Sequence, residues 1–346
     1  MGPTGNTHVV QIHLTRRCNL RCLHCYSSSS PEESEMLGIN DLMFVLDGLA
    51  EEGYHWISLS GGEPLLYPEL SKLLSHAQRL NMKVALVSNG MLLTESKLSE
   101  VADKLDLLVL SIDGKPESHN RMRGSERAFH VLASRLEGIR RSGIPFGFIF
   151  TLTQHNLDEL PWVADFALNS GGQLLQIHPL GNIGSALSNM ADKSPDAIEA
   201  RYAWALCQSM KNNVGDRLAV QLDYMYSEAI KENPSLLYAD KMRHGEESML
   251  STLVSPLIIE PDGELVPFQF GFSREFSLGN IKNVSIRHQQ QHWKSRQWPK
   301  LQSICQNLFQ EINASSEPYF VNWYQELTQK AQGVNQNDAL VRGAYG

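Results

Sequence analysis

The stretch His8-Val-Val-Gln-Ile-His-Leu14-Thr-Arg-Arg-Cys18-Asn-Leu-Arg-Cys22-Leu-His-Cys25 places an apolar, strand-like run directly before three cysteines in C-x3-C-x2-C spacing. Five more strand-like runs follow, at Trp56–Ser60, Lys83–Ser88, Leu107–Ile112, Gly147–Leu152 and Leu174–His178. Helical stripes separate them. Leu42, Val45, Leu46 and Leu49 fit the i, i+3, i+4, i+7 pattern behind an expected Asn40 cap. Leu70–Ala77, Leu98–Leu105, Phe129–Ile139 and Leu160–Ala167 repeat it. Strand, helix, strand in succession makes βαβ units, whose right-handed crossovers give a parallel sheet and an α/β class. Pattern alone does not separate a curved or closed barrel from an open doubly wound sheet. In both, ligands bind at the carboxyl ends of the strands, and the cysteines fall at such an end.

The chain has 346 residues, 42% of them hydrophobic, enough for one large or two modest domains with a core. Its 30 Lys+Arg against 38 Asp+Glu leave a net charge of −8, which argues against nucleic acid as the partner. No apolar run reaches the length of a membrane span, and Met1–His8 lacks the features of a secretory signal. These readings predict a soluble, cytoplasmic protein without membrane contact. Five cysteines in so long a chain are not a disulfide framework. Three in one short loop make a metal or redox site instead.

Cys18, Cys22 and Cys25 can wrap three corners of a cubane iron–sulfur cluster and leave its fourth iron open. The other reading is a zinc site completed by His13 or His24. Gly61-Gly62-Glu63-Pro64 lies at the end of the second strand, Ser88-Asn89-Gly90 at the third, Ser111-Ile-Asp113-Gly114 at the fourth and His178-Pro179-Leu180 at the sixth. The cysteine spacing, with His24 before the last cysteine, and the Gly-Gly-Glu-Pro turn together resemble the radical SAM superfamily. The further motifs, with Arg121-Met-Arg123-Gly124, resemble its subgroup of peptide-modifying and molybdopterin-precursor enzymes.

The resemblance implies a partial (β/α)6 TIM-type barrel over residues 1–186, a smaller α+β extension over 187–332 and a polar tail over 333–346. It implies one 4Fe–4S cluster on Cys18, Cys22 and Cys25, and S-adenosylmethionine as the second cofactor. Gly61 and Gly62 would let backbone approach the methionine moiety, and Glu63 would accept from its amino group. Ser111 and Arg123 would hold its carboxylate, Asn89 would reach the ribose or sulfonium, and His24 with Leu180 would border the adenine. Ser88, Asp113 and His178 belong to the same constellation; for Ser88, Asn89 and Asp113, capping of strand ends is an equal reading. The chemistry implied is reductive cleavage to a 5′-deoxyadenosyl radical, which abstracts a hydrogen atom. An external flavodoxin- or ferredoxin-type donor would supply the electron.

In the second half, Ser194-Pro195 predicts a helix start, and Leu257–Glu260, Pro261-Asp262-Gly263 and Leu265–Pro267 predict a hairpin. This hairpin resembles the opening of a SPASM or twitch extension, with Phe268 where a cluster cysteine normally stands. Only Cys207 and Cys305 remain, too few for an auxiliary cluster, so redox-neutral rearrangement, excision or epimerisation gains weight. Cys305 is the candidate hydrogen donor; Cys207 sits mid-helix among apolar residues. Trp293, Trp298 and Trp323 are expected in the core. The resemblance favours a ribosomally made peptide as substrate, served by a separate leader-peptide recognition protein. A small-molecule cofactor or metabolite precursor is the alternative, and a zinc-stabilised scaffold without catalysis the third reading.

Overall fold

The computed structural model describes residues 8–240, 248–283 and 285–333; most of the expected polar tail lies outside them. Strands β1 (Val9–His13), β2 (Trp56–Ser60), β3 (Lys83–Ser88), β4 (Leu107–Ser111), β5 (Phe146–Leu152) and β6 (Leu174–Pro179) alternate with helices. The helices are α1 (Ile39–Glu51), α2 (Leu70–Arg79), α3 (Glu95–Val101), α4 (Pro116–Arg123), α5 (Ala128–Ser142) and α6 (Leu160–Asn169). After them come α7 (Ala186–Asn189), α8 (Ala197–Val214), β7 (Ala219–Leu222), β8 (Met225–Tyr226), α9 (Ser227–Glu232) and α10 (Leu250–Leu253). The chain continues with β9 (Leu257–Ile259), β10 (Glu264–Pro267), β11 (Gly279–Asn280), α11 (Ile286–Ala314), β12 (Phe320–Val321) and α12 (Trp323–Ala331).

β1 to β7 lie side by side in chain order and all parallel. That order settles the architecture. Right-handed crossovers between sequential neighbours put every helix on one face, whereas a doubly wound sheet reverses its order midway. The helix-covered face carries Val10, Ile12, Ile57, Leu59, Leu86, Leu108, Phe148 and Leu175, all without exposure. They meet the predicted stripes, Leu42–Leu49, Leu73, Leu74 and Leu132 among them. The opposite face is half-exposed at Gln11, Ser58, Ile149, Gln176 and Gln221. The sheet curls around this face as a partial TIM-type barrel. It does not close: β9 pairs with the free edge of β1, β10 and β11 extend it antiparallel, and β7 ends the other side. A separate ribbon joins β8 to β12.

Local signals moved in a few places. Gly38, not Asn40, caps α1, and Asn40 lies in its first turn. Asp196, not Ser194, caps α8, closing a reciprocal box with Glu199. Helix α4 was not anticipated, because Pro-Glu-Ser-His-Asn-Arg-Met-Arg has no apolar stripe. Trp293, Trp298 and Trp323 are core residues, and Cys207 and Cys305 are buried on α8 and α11. Among the described residues no helix is long and apolar enough to cross a membrane.

Candidate active site

Loops after β1, β2, β4 and β6 meet at the cysteine segment. The Gly62 N–H donates to the Thr15 carbonyl at 2.6 Å and the Glu63 N–H to the Arg17 carbonyl at 3.0 Å. A Cβ on Gly62 would stand 2.2 Å from the Arg17 oxygen, so this turn needs glycine to let two backbones touch. From the opposite side, the Ser185 N–H donates to the Cys25 carbonyl at 2.8 Å. A Cβ on Gly184, at φ +60°, would lie 2.4 Å from that same oxygen. The Leu23 N–H reaches the Met122 carbonyl at 2.9 Å, which ties the segment to α4.

Each thiol has a polar neighbour aimed at sulfur. Asn89 Nδ2 stands 4.0 Å from Cys18 Sγ, and Arg123 Nη1 3.8 Å from Cys22 Sγ. Cys25 Sγ takes the Ser29 N–H at 3.3 Å and lies 3.5 Å from Ser27 Oγ. Burial pushes the Cys18 thiol up to about 12, with smaller contributions from Glu63 and the other two cysteines. Burial likewise raises Cys22 to about 11 against the pull of Arg123. The thiols feel one another's charge. Among the described residues, however, no three Cys, His, Asp or Glu side chains are gathered at metal-binding separation. Three soft sulfur donors, each beside a hydrogen-bond donor, form a set suited to an iron–sulfur cluster, whose thiolates need such partners.

Around the thiols sits a buried charge network. Glu63 has no exposure, and its carboxyl accepts from Ser88 Oγ at 2.9 Å, Asn89 N at 3.0 Å and Leu65 N at 3.2 Å. Burial raises it to about 7 in spite of these donors. One of its roughly four acceptor positions is left. Arg123 Nε donates to Asp113 Oδ2 at 2.6 Å. Burial works against charge in both groups, and their mutual attraction keeps the arginine charged and Asp113 below the usual carboxylate range. The Asp113 N–H donates to His119 Nδ1 at 3.2 Å, and His24 Nε2 stands 3.9 Å from Asp113 Oδ1. Burial lowers both imidazoles to about 4.

The structure therefore brings together Cys18, Cys22, Cys25, His24, Gly61, Gly62, Glu63, Ser88, Asn89, Asp113 and Arg123. Ser111 is buried beside them at the end of β4, and Leu180 packs with Met122, Ala186 and Met190 beneath the segment. His178 stands apart. It lies on the open face, with Nδ1 in contact with Asp223 Oδ2 just past β7. His13 is fully buried, with Nδ1 3.1 Å from Tyr26 Oη, and burial depresses it to about 3. Sequence reasoning missed Gly184, Asp223 and Asn156. The last ties Asp113 to β5 through the Asp113 and Thr151 carbonyls. Gly184 carried a faint signal in the glycines after Leu180; the other two carried none.

A one-sided parallel α/β sheet, with thiols and a buried ion pair crowded at its carboxyl ends, defines a partial-barrel enzyme of cofactor chemistry. Residues 12–167 match the radical SAM superfamily, so this part of the chain carries a radical SAM domain. A domain of that family implies S-adenosylmethionine and a 4Fe–4S cluster. The Fe-coproporphyrin III synthase of Methanosarcina barkeri is 28% identical over 292 residues, covering 79% of this chain and 71% of that protein. The sporulation killing factor maturation protein SkfB of Bacillus subtilis is 26% identical over 219 residues, covering 63% and 53%. The fold matches Streptococcus suis SuiB bound to S-adenosylmethionine with a TM-score of 0.65 at 13% identity, over 86% of this chain and 68% of that one.

Proposed function

We propose that this chain uses one 4Fe–4S cluster, held by Cys18, Cys22 and Cys25, with S-adenosylmethionine to abstract a hydrogen atom from a residue of a ribosomally made peptide. The observation that carries the cofactor part is the convergence on the cysteine segment of Glu63, Asn89, Asp113 and Arg123, buried groups whose charges and donors point at the sulfurs and at one another. Together the two groups supply an electron and a carbon-centred radical. The chain's own residues hold and orient. The last acceptor position of Glu63 suits an ammonium group, which would offset the burial that raises its carboxyl. The Arg123 guanidinium, fixed through Nε, keeps its other nitrogens for a carboxylate, beside Ser111. Gly61 and Gly62 would border the methionine end, Asn89 the ribose or sulfonium side, and His24 with Leu180 the adenine, while Ser88 holds Glu63 in place.

The substrate half rests on likeness to relatives such as SkfB and on a sheet face that is half-exposed and polar at Gln176 and Gln221. The Fe-coproporphyrin III synthase likeness favours a second reading, a small-molecule precursor. We assign residues 187–332 to an extension without an auxiliary cluster, because Phe268 is 2% exposed and packs on Phe272, Tyr238 and Trp323 where a ligand would be wanted. An external low-potential donor and a separate leader-peptide recognition protein complete the proposal.

Anaerobic reconstitution followed by iron and zinc analysis, with a 5′-deoxyadenosine assay under reductant, tests it. About four irons per chain and deoxyadenosine formation are expected. About eight irons would overturn the single-cluster reading. Stoichiometric zinc without cleavage would leave only a scaffold.

A further inference from the structure

The open face of the sheet is unevenly built. At the carboxyl ends of β1 and β2 it is shut: His13 and Ser60 are buried, and His13 packs against Tyr26 and Phe270 with ring centroids 5.3 and 5.0 Å away. On the β6–β7 flank it is open and polar. Gln176 and Gln221 occupy paired register positions, so they point the same way, and Gln176 Nε2 donates to Gln221 Oε1 at 3.3 Å. One step toward the carboxyl ends, His178 Nδ1 contacts Asp223 Oδ2, and 37% and 32% of the two side chains stay exposed. Burial alone would raise the Asp223 carboxyl, but His178 beside it holds it below the usual range.

What this face lacks matters as much. Along β1–β7 the single Lys or Arg on it is Lys83, which opens β3 at the amino end, away from the cysteines, and binds Asp106 at 2.7 Å. Arg123, at the rim, is bound to Asp113. A ligand pressed against the β6–β7 wall meets two amides, an imidazole and a carboxylate. Amides satisfy neutral hydrogen-bonding groups. A ligand bearing several carboxylates would lose their hydration without gaining a cation in exchange, at a cost of several kcal/mol per unpaired charge.

We infer that the wall formed by Gln176, His178, Gln221 and Asp223 decides substrate class, admitting uncharged, amide-bearing segments and turning away polycarboxylates such as a tetrapyrrole. The inference rests on the proposed reading that this face is the substrate cavity. It separates this chain's substrate from the tetrapyrrole that its coproporphyrin-synthase relative is named for making, by the mechanism of specificity through uncompensated charge.

Coproporphyrin III, with four carboxylates, is the probe. It is titrated into the full-length, anaerobically reconstituted holoenzyme and followed by its own absorbance. Wild type is expected to show no saturable one-to-one binding, while Gln221→Lys and Gln176→Lys, each placing a cation on the wall, gain affinity by at least about tenfold. Two substitutions are used so that a folding failure of one leaves the other readable. Saturable binding to wild type overturns the inference. So does the absence of any gain in both lysine variants, since the wall then does not set the selection. Iron content and deoxyadenosine formation, measured on the same samples, report on the cofactor reading alone, so the two fail separately.

Discussion

β1 and β9 are neighbours in one sheet, yet the structures beyond them are built from opposite materials. Past β1 stand thiols, Glu63, Asp113, Arg123, His24 and His119, every one a group that is costly to bury. Past the β9–β10 hairpin stand Phe268, Phe272, Phe276 and Trp323, which packing alone satisfies. The second end contributes stability through burial of aromatic surface. The first draws on that stability to keep charges and thiols assembled for a ligand, which is why perturbed groups concentrate there.

The comparison is broken or sharpened by six substitutions. Cys18→Ala, Cys22→Ala and Cys25→Ala should each reduce iron after reconstitution to background and abolish deoxyadenosine; full iron loading in any of them would end the cluster assignment. Phe268→Ala should lower the unfolding free energy by about 4 kcal/mol in urea titration, with iron per folded chain unchanged. A large drop in iron there would show that the two ends are not independent. Arg123→Ala leaves Asp113 buried without its partner, and should cost about 3 kcal/mol while also weakening S-adenosylmethionine binding in calorimetry. Glu63→Gln acts through pH. The folded carboxyl sits at about 7 against an ordinary 4.5, so the folded cofactor-free protein holds that proton more tightly than the unfolded chain. Its contribution is greatest below the ordinary value and is lost as pH rises through about 7, at most about 3 kcal/mol. The glutamine variant should lack that segment of the stability curve, and an unchanged slope would remove Glu63 as its source.

The strands of the first half were legible because each is an apolar run bounded by polar punctuation; β2 and β3 match their expected limits residue for residue. Curvature was not legible from periodicity, since it follows from strand order, a property of pairings and not of segments. β7 escaped notice because Ala-Val-Gln-Leu is too short and mixed to stand out from its neighbours. At the site, residues with distinctive local sequence were found: the cysteines and the Gly-Gly-Glu turn. The glycines had a second reason that sequence did not suggest, contact with the Thr15 and Arg17 backbone. Asp223 was invisible because its importance comes from a partner in another strand, His178.

The pairing of β1 with β9 also orders events during synthesis. β1 is made first, and its outer edge presents unpaired N–H and C=O groups until Leu257–Ile259 has left the ribosome. Until β9 is made, then, the strand that leads into the cysteines is an open template for another chain. A polypeptide ending near residue 186 would carry the whole cysteine network and never cover that edge. Aggregation through β1, more than loss of any site residue, is what such a truncation would suffer.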